Sequence, residues 1–273
     1  MRWRRAWWII VAVAAALFPT IVVLTIVRIV PQHREKIAPP NPEAPPDLEM
    51  LRVPFVSGID ALRRKDGHEA VRHFSSFSFR GRAVEEYRLY YLAAGHQLSA
   101  DRVASRIALA RLWSRTPRLV YWQEAGFNLG GLYASGGDFR HAADVHSQLS
   151  TRSDVSPIAA NARWQTLVSR FAAGDIAAVL FTARHIVIKN PRSPQVNAAI
   201  LIVRSLSGVG PSQAIPLTPA ERLERGVSLM RDGDPQHALD ELTALQTAGV
   251  VPSNLKQAVE LNRGLALKLR LRR

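Results

Sequence analysis

Hydrophobic and polar positions divide the chain into three stretches. Residues 6–27 carry no charge and are apolar almost throughout. Residues 31–54 are dominated by proline. From residue 55 onward, apolar positions fall into short helical runs broken by glycine and aspartate. Residues 127–149, FNLGGLYASGGDFRHAADVHSQL, show the pattern most clearly. Leu129, Gly130 and Tyr133 share one side of a first helix, at i, i+1 and i+4. Ala142 and Leu149 share one side of a second, and Ser135-Gly136-Gly137-Asp138 makes a tight turn between them. Gly130 and Ala142 are small enough for the two backbones to approach closely. Such a pair cannot bury its apolar side alone and requires neighbouring copies.

The copies are marked by a recurring aspartate: Asp66, Asp101, Asp138, Asp175 and Asp234, at intervals of 35, 37, 37 and 59 residues. A period near 34 is that of tetratricopeptide helix pairs, and the chain resembles that family at particular positions. Gly137-Asp138-Phe139, Gly174-Asp175-Ile176 and Gly233-Asp234-Pro235 stand as its inter-helix turn. Gly58, Gly130 and Gly226 match the first small residue, and Ala70, Ala142 and Ala238 the small residue of the second helix. Phe74, Leu109 and Leu242 match the larger residue one turn later, and Pro117 and Pro191 the closing proline. The chain departs from the pattern at Ala93 and Leu167, and at Ser105 and Val179. The longest interval holds a lone helical stretch, 195–206, and a loop through Gly208, Gly210, Pro211 and Pro216. The last full pair opens with Thr218, Pro219 and Glu221, the elements of a capping box. The resemblance implies an all-α fold: a degenerate tetratricopeptide-like helical-hairpin solenoid over residues 55–273.

The first stretch is long enough to cross a bilayer as one helix. Arg2, Arg4 and Arg5 precede it, and Trp7 and Trp8 suit the membrane interface. Its length exceeds the apolar core of a cleaved signal peptide. Residues 1–30 therefore read as a cytoplasmic tip and transmembrane helix, with the rest on the periplasmic side of a bacterial inner membrane. Residues 31–54 read as an extended, semi-rigid linker. At the other end, residues 255–273 read as the first helix of a sixth pair, with Gly264 at the small position and Leu267 at the next packing position. By that register the repeat domain is incomplete at its C-terminus.

Charge and candidate chemistry change this picture little. Net charge is +14 over 273 residues, which attracts polyanions. No nucleic-acid motif accompanies it, so no nucleic acid is expected as a partner. Cysteine is absent, which excludes disulfides and thiolate metal sites. His68, Glu69 and His73 fail the HExxH spacing, since the histidines are five apart. His141, Asp144 and His146 share a second helix, where His146 takes a packing position. Gly208-Val209-Gly210 follows no strand, so it is no phosphate loop. Glu85-Glu86 carries no mark of a glycosidase pair. No catalytic constellation, cofactor site or metal site is expected. Carrying the family's geometry over by register places Tyr87, Tyr90, Glu124, Phe127, Asn161 and Trp164 on a concave face. Aromatic and polar side chains together suit a protein, peptide or glycan partner.

The layout also resembles the N-terminal superhelical region of bacterial soluble-type lytic murein transglycosylases, chiefly through residues 174–191 and 217–245. Their catalytic domain has no counterpart here. Three functions follow as expectations. The first is a membrane-anchored, non-enzymatic repeat scaffold of the cell envelope that binds a protein, peptide or peptidoglycan partner. The second is the non-catalytic arm of a truncated or split transglycosylase. The third, which requires the opposite topology, is a tethered cytoplasmic receptor of co-chaperone type.

Overall fold

The computed structural model describes residues 46–78, 82–115, 120–153, 156–208, 210, 215, 217–248 and 251–272. The predicted membrane helix and residues 28–45 lie outside them. None of the described helices is long and apolar enough to cross a membrane. The described residues hold twelve α-helices and no strand. In chain order these are α1 (Pro46–Arg63), α2 (Gly67–Ser75), α3 (Arg82–Leu98), α4 (Arg102–Trp113), α5 (Trp122–Ser135) and α6 (Phe139–Arg152). Then follow α7 (Ser156–Ala172), α8 (Ile176–Lys189), α9 (Val196–Ser207), α10 (Pro219–Arg231), α11 (Pro235–Thr247) and α12 (Ser253–Leu271). They form two compact units, one ending at Val145 and one beginning at His146, with the boundary inside α6.

All five predicted aspartate turns are helix-to-helix turns, and they share one construction. A residue with positive φ precedes each aspartate: Lys65 (61°), Ala100 (61°), Gly137 (79°), Gly174 (76°) and Gly233 (79°). The reversal lets the aspartate N–H reach the carbonyl five residues back. Asp66 thus bonds to Ala61, Asp101 to His96, Asp138 to Tyr133, Asp175 to Arg170 and Asp234 to Leu229. The N–H before it bonds three residues back, which completes a Schellman closure of the first helix. Each carboxylate then caps the second helix. It accepts the N–H of Glu69, Ala104, His141, Ala178 or His237, at 2.9 to 3.3 Å. One short segment therefore stops one helix and starts the next.

Packing within the units follows the predicted small and large positions. At Gly58, an added Cβ would lie 2.6 Å from the Phe74 ring; at Gly226, 2.9 Å from Leu242. Ala70, Ala142 and Ala238 are fully buried, and so are Ser105 and Val179, where the pattern departs. In the first unit α1 packs on α2, α2 on α3, α3 on α4 and α4 on α5, while α1 also meets α3. The buried pair Arg88–Glu85 ties α3 to α2, because Arg88 Nη1 also donates to the Phe74 carbonyl at 2.8 Å.

In the second unit α7 pairs with α8 and α10 with α11. The predicted lone helix is α9. It packs on α8 and contributes Ala199, Ile202 and Val203 to the core there. Its C-cap is Gly208, at φ 69°, so that glycine ends a helix. The capping box of α10 is present as predicted, with Thr218 and Glu221 bonded reciprocally. Ion pairs join α8 to α10 (Arg184–Glu221, 2.6 Å, and Lys189–Glu224) and α10 to α11 (Arg222 and Arg225 on Glu241, 2.9 Å each).

Two sequence expectations are corrected. Helix α1 begins at Pro46, so residues 46–54 are helical and not extended linker. Proline at a first helical position costs no hydrogen bond. Only Pro54 lies inside the helix. In α12 the small packing residue is Ala266, fully buried, and not Gly264, where a Cβ would meet nothing within 4 Å. Leu267 faces solvent. The register set by Val259 and Ala266, seven apart, turns both of the predicted contacts outward.

The turns make an opposed pair of predictions. Nothing lies near a Cβ added at Gly174, so Gly174→Ala tests backbone conformation alone. A left-handed alanine costs about 1–2 kcal/mol, and the lost freedom of the unfolded chain offsets part of this. Gly174→Ala should therefore destabilise by about 1 kcal/mol. Ala100→Gly, in the equivalent turn, should stabilise by up to about 1 kcal/mol. Urea unfolding of both variants measures this, and shifts of the same sign would contradict the shared construction.

Candidate functional site

The predicted site residues fall into different surroundings. Tyr87, Tyr90 and Glu124 come together in the first unit, with Tyr91 and Tyr121 beside them. Tyr87, Tyr90 and Tyr91 are at i, i+3 and i+4 of α3, one face of that helix. Tyr121 is the N-cap of α5. Its carbonyl accepts the Ala125 N–H, its side chain makes no cap, and the ring is left to stack. Tyr90 and Tyr121 stack at 5.2 Å between centroids, 15° from parallel. Tyr87 meets Tyr121 edge-on at 6.3 Å and lies over Tyr91 at 6.3 Å.

Beneath them the rings continue into the core. Tyr91 stacks on buried Phe74 at 5.8 Å and meets Phe55 edge-on at 5.9 Å. Phe74 is the ring that Gly58 admits. The close approach of α1 to α2 thus fixes Phe74, Phe74 fixes Tyr91, and Tyr91 supports the outer rings. Each such aromatic contact adds about 0.5–1.5 kcal/mol beyond its buried area.

The polar tips are paired. The Tyr90 hydroxyl donates to the Glu124 carboxylate, and the Tyr91 hydroxyl donates to that of Tyr121. Burial raises the titration of both Tyr90 and Tyr91, and the Glu124 charge adds to the rise at Tyr90. Glu124 itself is pushed above the ordinary carboxylate range by burial, while the bond from Tyr90 partly opposes the shift. Tyr90 is 4% exposed and serves as a support. Tyr87, Tyr121 and Glu124 are half-buried and form the presented surface. It offers two aromatic rings, one acceptor and no arranged nucleophile.

Of the remaining predicted residues, Phe127 lies in the first unit and Asn161 and Trp164 in the second. Phe127 is half-buried one turn beyond Glu124 on α5, and Asn161 is half-buried on α7 in the second unit. Trp164 is 4% exposed and belongs to the core with Leu167, Val179, Ala183 and Ile186. It stands one turn before Leu167, on the side of α7 that meets α8, so it fills the hairpin. Sequence reasoning missed Tyr91 and Tyr121. The signals were there: Tyr91 is one turn from Tyr87, and Tyr121 is three residues before Glu124.

The histidines set aside in the sequence take structural places. His68 is exposed, His73 lies 3.7 Å from Glu69, His146 is buried, and the His141 ring stacks on Tyr133 at 5.2 Å. His141 also holds its capping partner Asp138 below the usual carboxylate range, through a side-chain hydrogen bond of 2.7 Å.

No family model matches the chain, and no curated protein matches it. Among solved structures it is similar to the TPR2AB-domain:pHSP90 complex of yeast Sti1. The likeness is 12% identical, covers 80% of this chain and 98% of that one, and has a TM-score of 0.34.

The Tyr90–Glu124 bond gives a direct prediction. Tyr90→Phe removes the one interaction that holds the Glu124 pKa down, so its titration midpoint should rise further. A raised carboxyl pKa favours folding with the group protonated. Its contribution is therefore complete below about pH 4.3, the ordinary glutamate value, and lost as pH rises through the folded midpoint. Carbon-detected NMR titration of Glu124 reads the shift, and an unchanged or lower midpoint would exclude the bond.

Proposed function

We propose that this chain is a non-catalytic interaction scaffold. On this reading it holds an extended peptide segment of a protein partner across Tyr87 and Tyr121. The observation that carries the reading is the half-exposed ring pair, braced from behind by Tyr91 and Phe74, with Glu124 at its margin. Rigid aromatic side chains dominate binding energy where they are pre-positioned, because little conformational freedom is lost on contact. Glu124 suits an amide or basic side chain of the peptide: a donor that satisfies its remaining lone pairs compensates for its desolvation.

The setting we propose is the bacterial cell envelope. The uncharged run 6–27 would anchor the chain in the inner membrane, with the helical hairpins on the periplasmic side. The sequence resemblance to the arms of lytic transglycosylases supports the same location. It also makes a peptidoglycan strand, whose sugars stack on tyrosine, the natural alternative ligand for this face.

The test places a photo-crosslinking amino acid at position 121 in the full chain, in living bacteria. A polypeptide adduct should form, and Tyr87→Ala should reduce it severalfold, since truncating an aromatic anchor typically costs about 2 kcal/mol. Adducts equal to those from a crosslinker at exposed Val103 would reject the face as a binding site. Alkaline carbonate extraction of the same cells should leave the chain in the membrane fraction, and its release would remove the anchor.

A further inference from the structure

Most cations of the second unit's hairpins have an acidic neighbour. Arg184, Lys189, Arg192, Arg222, Arg225 and Arg231 each form an ion pair. Helix α12 differs. With its C-cap Arg272 it carries Lys256, Arg263, Lys268 and Arg270 against a single acid, Glu260. Among the described residues none of these five cations is in an ion pair. Arg263 and Arg270 reach only the amide oxygens of Gln246 and Gln236.

The same helix leaves its leucines uncovered. Its inner side is narrow: Val259 and Ala266 are buried, and Ala266 packs with Leu229 of α10 and Ala238 of α11. Leu261 and Leu271 are 63% and 74% exposed, and Leu265, Leu267 and Leu269 are each at least 40% exposed. At 100° per residue these form two rows. Leu261, Leu265 and Leu269 make one, and Leu267 and Leu271 the other. Glu260, Gly264, Lys268 and Arg272 lie on one line between the rows. The outer half of α12 is thus a broad band of leucine whose central line ends in two unpaired cations, Lys268 and Arg272.

The charge selects among occupants. A parallel second copy of α12 would set Lys268 and Arg272 against their own equivalents, and an antiparallel copy crossing at Gly264 would match Lys268 with Glu260 but set Arg272 against Lys256. A single partner helix would need one narrow apolar seam, whereas these leucines flank the cations on both sides. A flat, anionic surface with an apolar interior fits both features. Leucines enter the boundary between headgroups and acyl chains. The alkyl stems of lysine and arginine lie along that boundary, with their charges among the headgroups. We propose that the outer face of α12 is a docking surface for a lipid bilayer that carries anionic headgroups. Docking through α12 requires no membrane span at residues 6–27.

The sequence has no cysteine, so Leu265→Cys in the full chain gives a single site for an environment-sensitive fluorophore. The protein is mixed with vesicles of phosphatidylglycerol and phosphatidylcholine, or of phosphatidylcholine alone. On the anionic vesicles the label should shift to the blue and be quenched by a lipid-borne quencher. Both signals should fall on adding salt. Each cation near such a surface contributes about fivefold to binding, so Lys268→Gln with Arg272→Gln should lower the docked-to-free ratio by about 25-fold. These side chains are exposed, and circular dichroism checks that the variants keep their helix. A label at Val103→Cys, exposed on α4, should stay in water throughout, which separates docking of α12 from insertion of any other segment. A label at position 265 that stays in water on anionic vesicles overturns the proposal, as does one that responds equally on both lipids.

Discussion

The aspartate carboxylate that caps the second helix of each pair is the interaction on which the described structure most depends. The arms of these hairpins run from 9 to 18 residues, about two and a half to five turns, marginal at best in isolation. They persist because their ends are satisfied locally and their sides are covered by neighbours. The residue of positive φ before each aspartate closes one helix, and the carboxylate opens the next. Capping of this kind contributes about 1 kcal/mol per site. Its larger effect is geometric: it fixes where each chain reversal occurs, and so which apolar residues of the two arms meet. Gly58 under Phe74 and Gly226 under Leu242 lie close only because the turns hold that register.

This also explains what could be read from the sequence. A cap involves residues within three to five positions of each other, so its signature is contiguous and survives degeneracy elsewhere. Five aspartates were enough to place five hairpins, even though Lys65 and Ala100 replace the expected glycine at two turns. The failures came where the signal was not local. Proline at 45 and 46 reads as extended chain, yet Pro46 is a sound first residue of α1. In α12, a glycine and a leucine three apart imitate a repeat register. Burial is set by Leu229 and Ala238, more than twenty residues away in sequence, and they select Ala266.

The candidate site shows the same division. Tyr87, Tyr90 and Glu124 are placed together by analogy of register; in the structure Tyr90 bonds to Glu124, and both tyrosines meet Tyr121. The analogy failed at Trp164, because a face of α7 can bury its large ring against Val179 and Ala183, where α8 is small. It also passed over Tyr121, which is itself the cap residue just outside the helix. Periodicity addresses residues within helices and gives no weight to the residue before them.

Local caps have a further consequence for function. Since each hairpin is specified by its own turn and inner small residues, its outer positions are under little structural constraint. The first unit uses that freedom to stack tyrosines over a phenylalanine core. The second unit uses it differently on α12, with leucine and unpaired cations. Elsewhere in that unit the positive charge is spent between helices, as in Arg184–Glu221 and Arg222–Glu241. Half-exposed pairs of this sort contribute little energy individually, but they leave the paired charge unavailable to an outside anion. The net charge of +14 is therefore a poor guide to where an anion would bind. The informative quantity is the positive charge left without an acidic neighbour beside uncovered apolar surface, and in the second unit both coincide on α12.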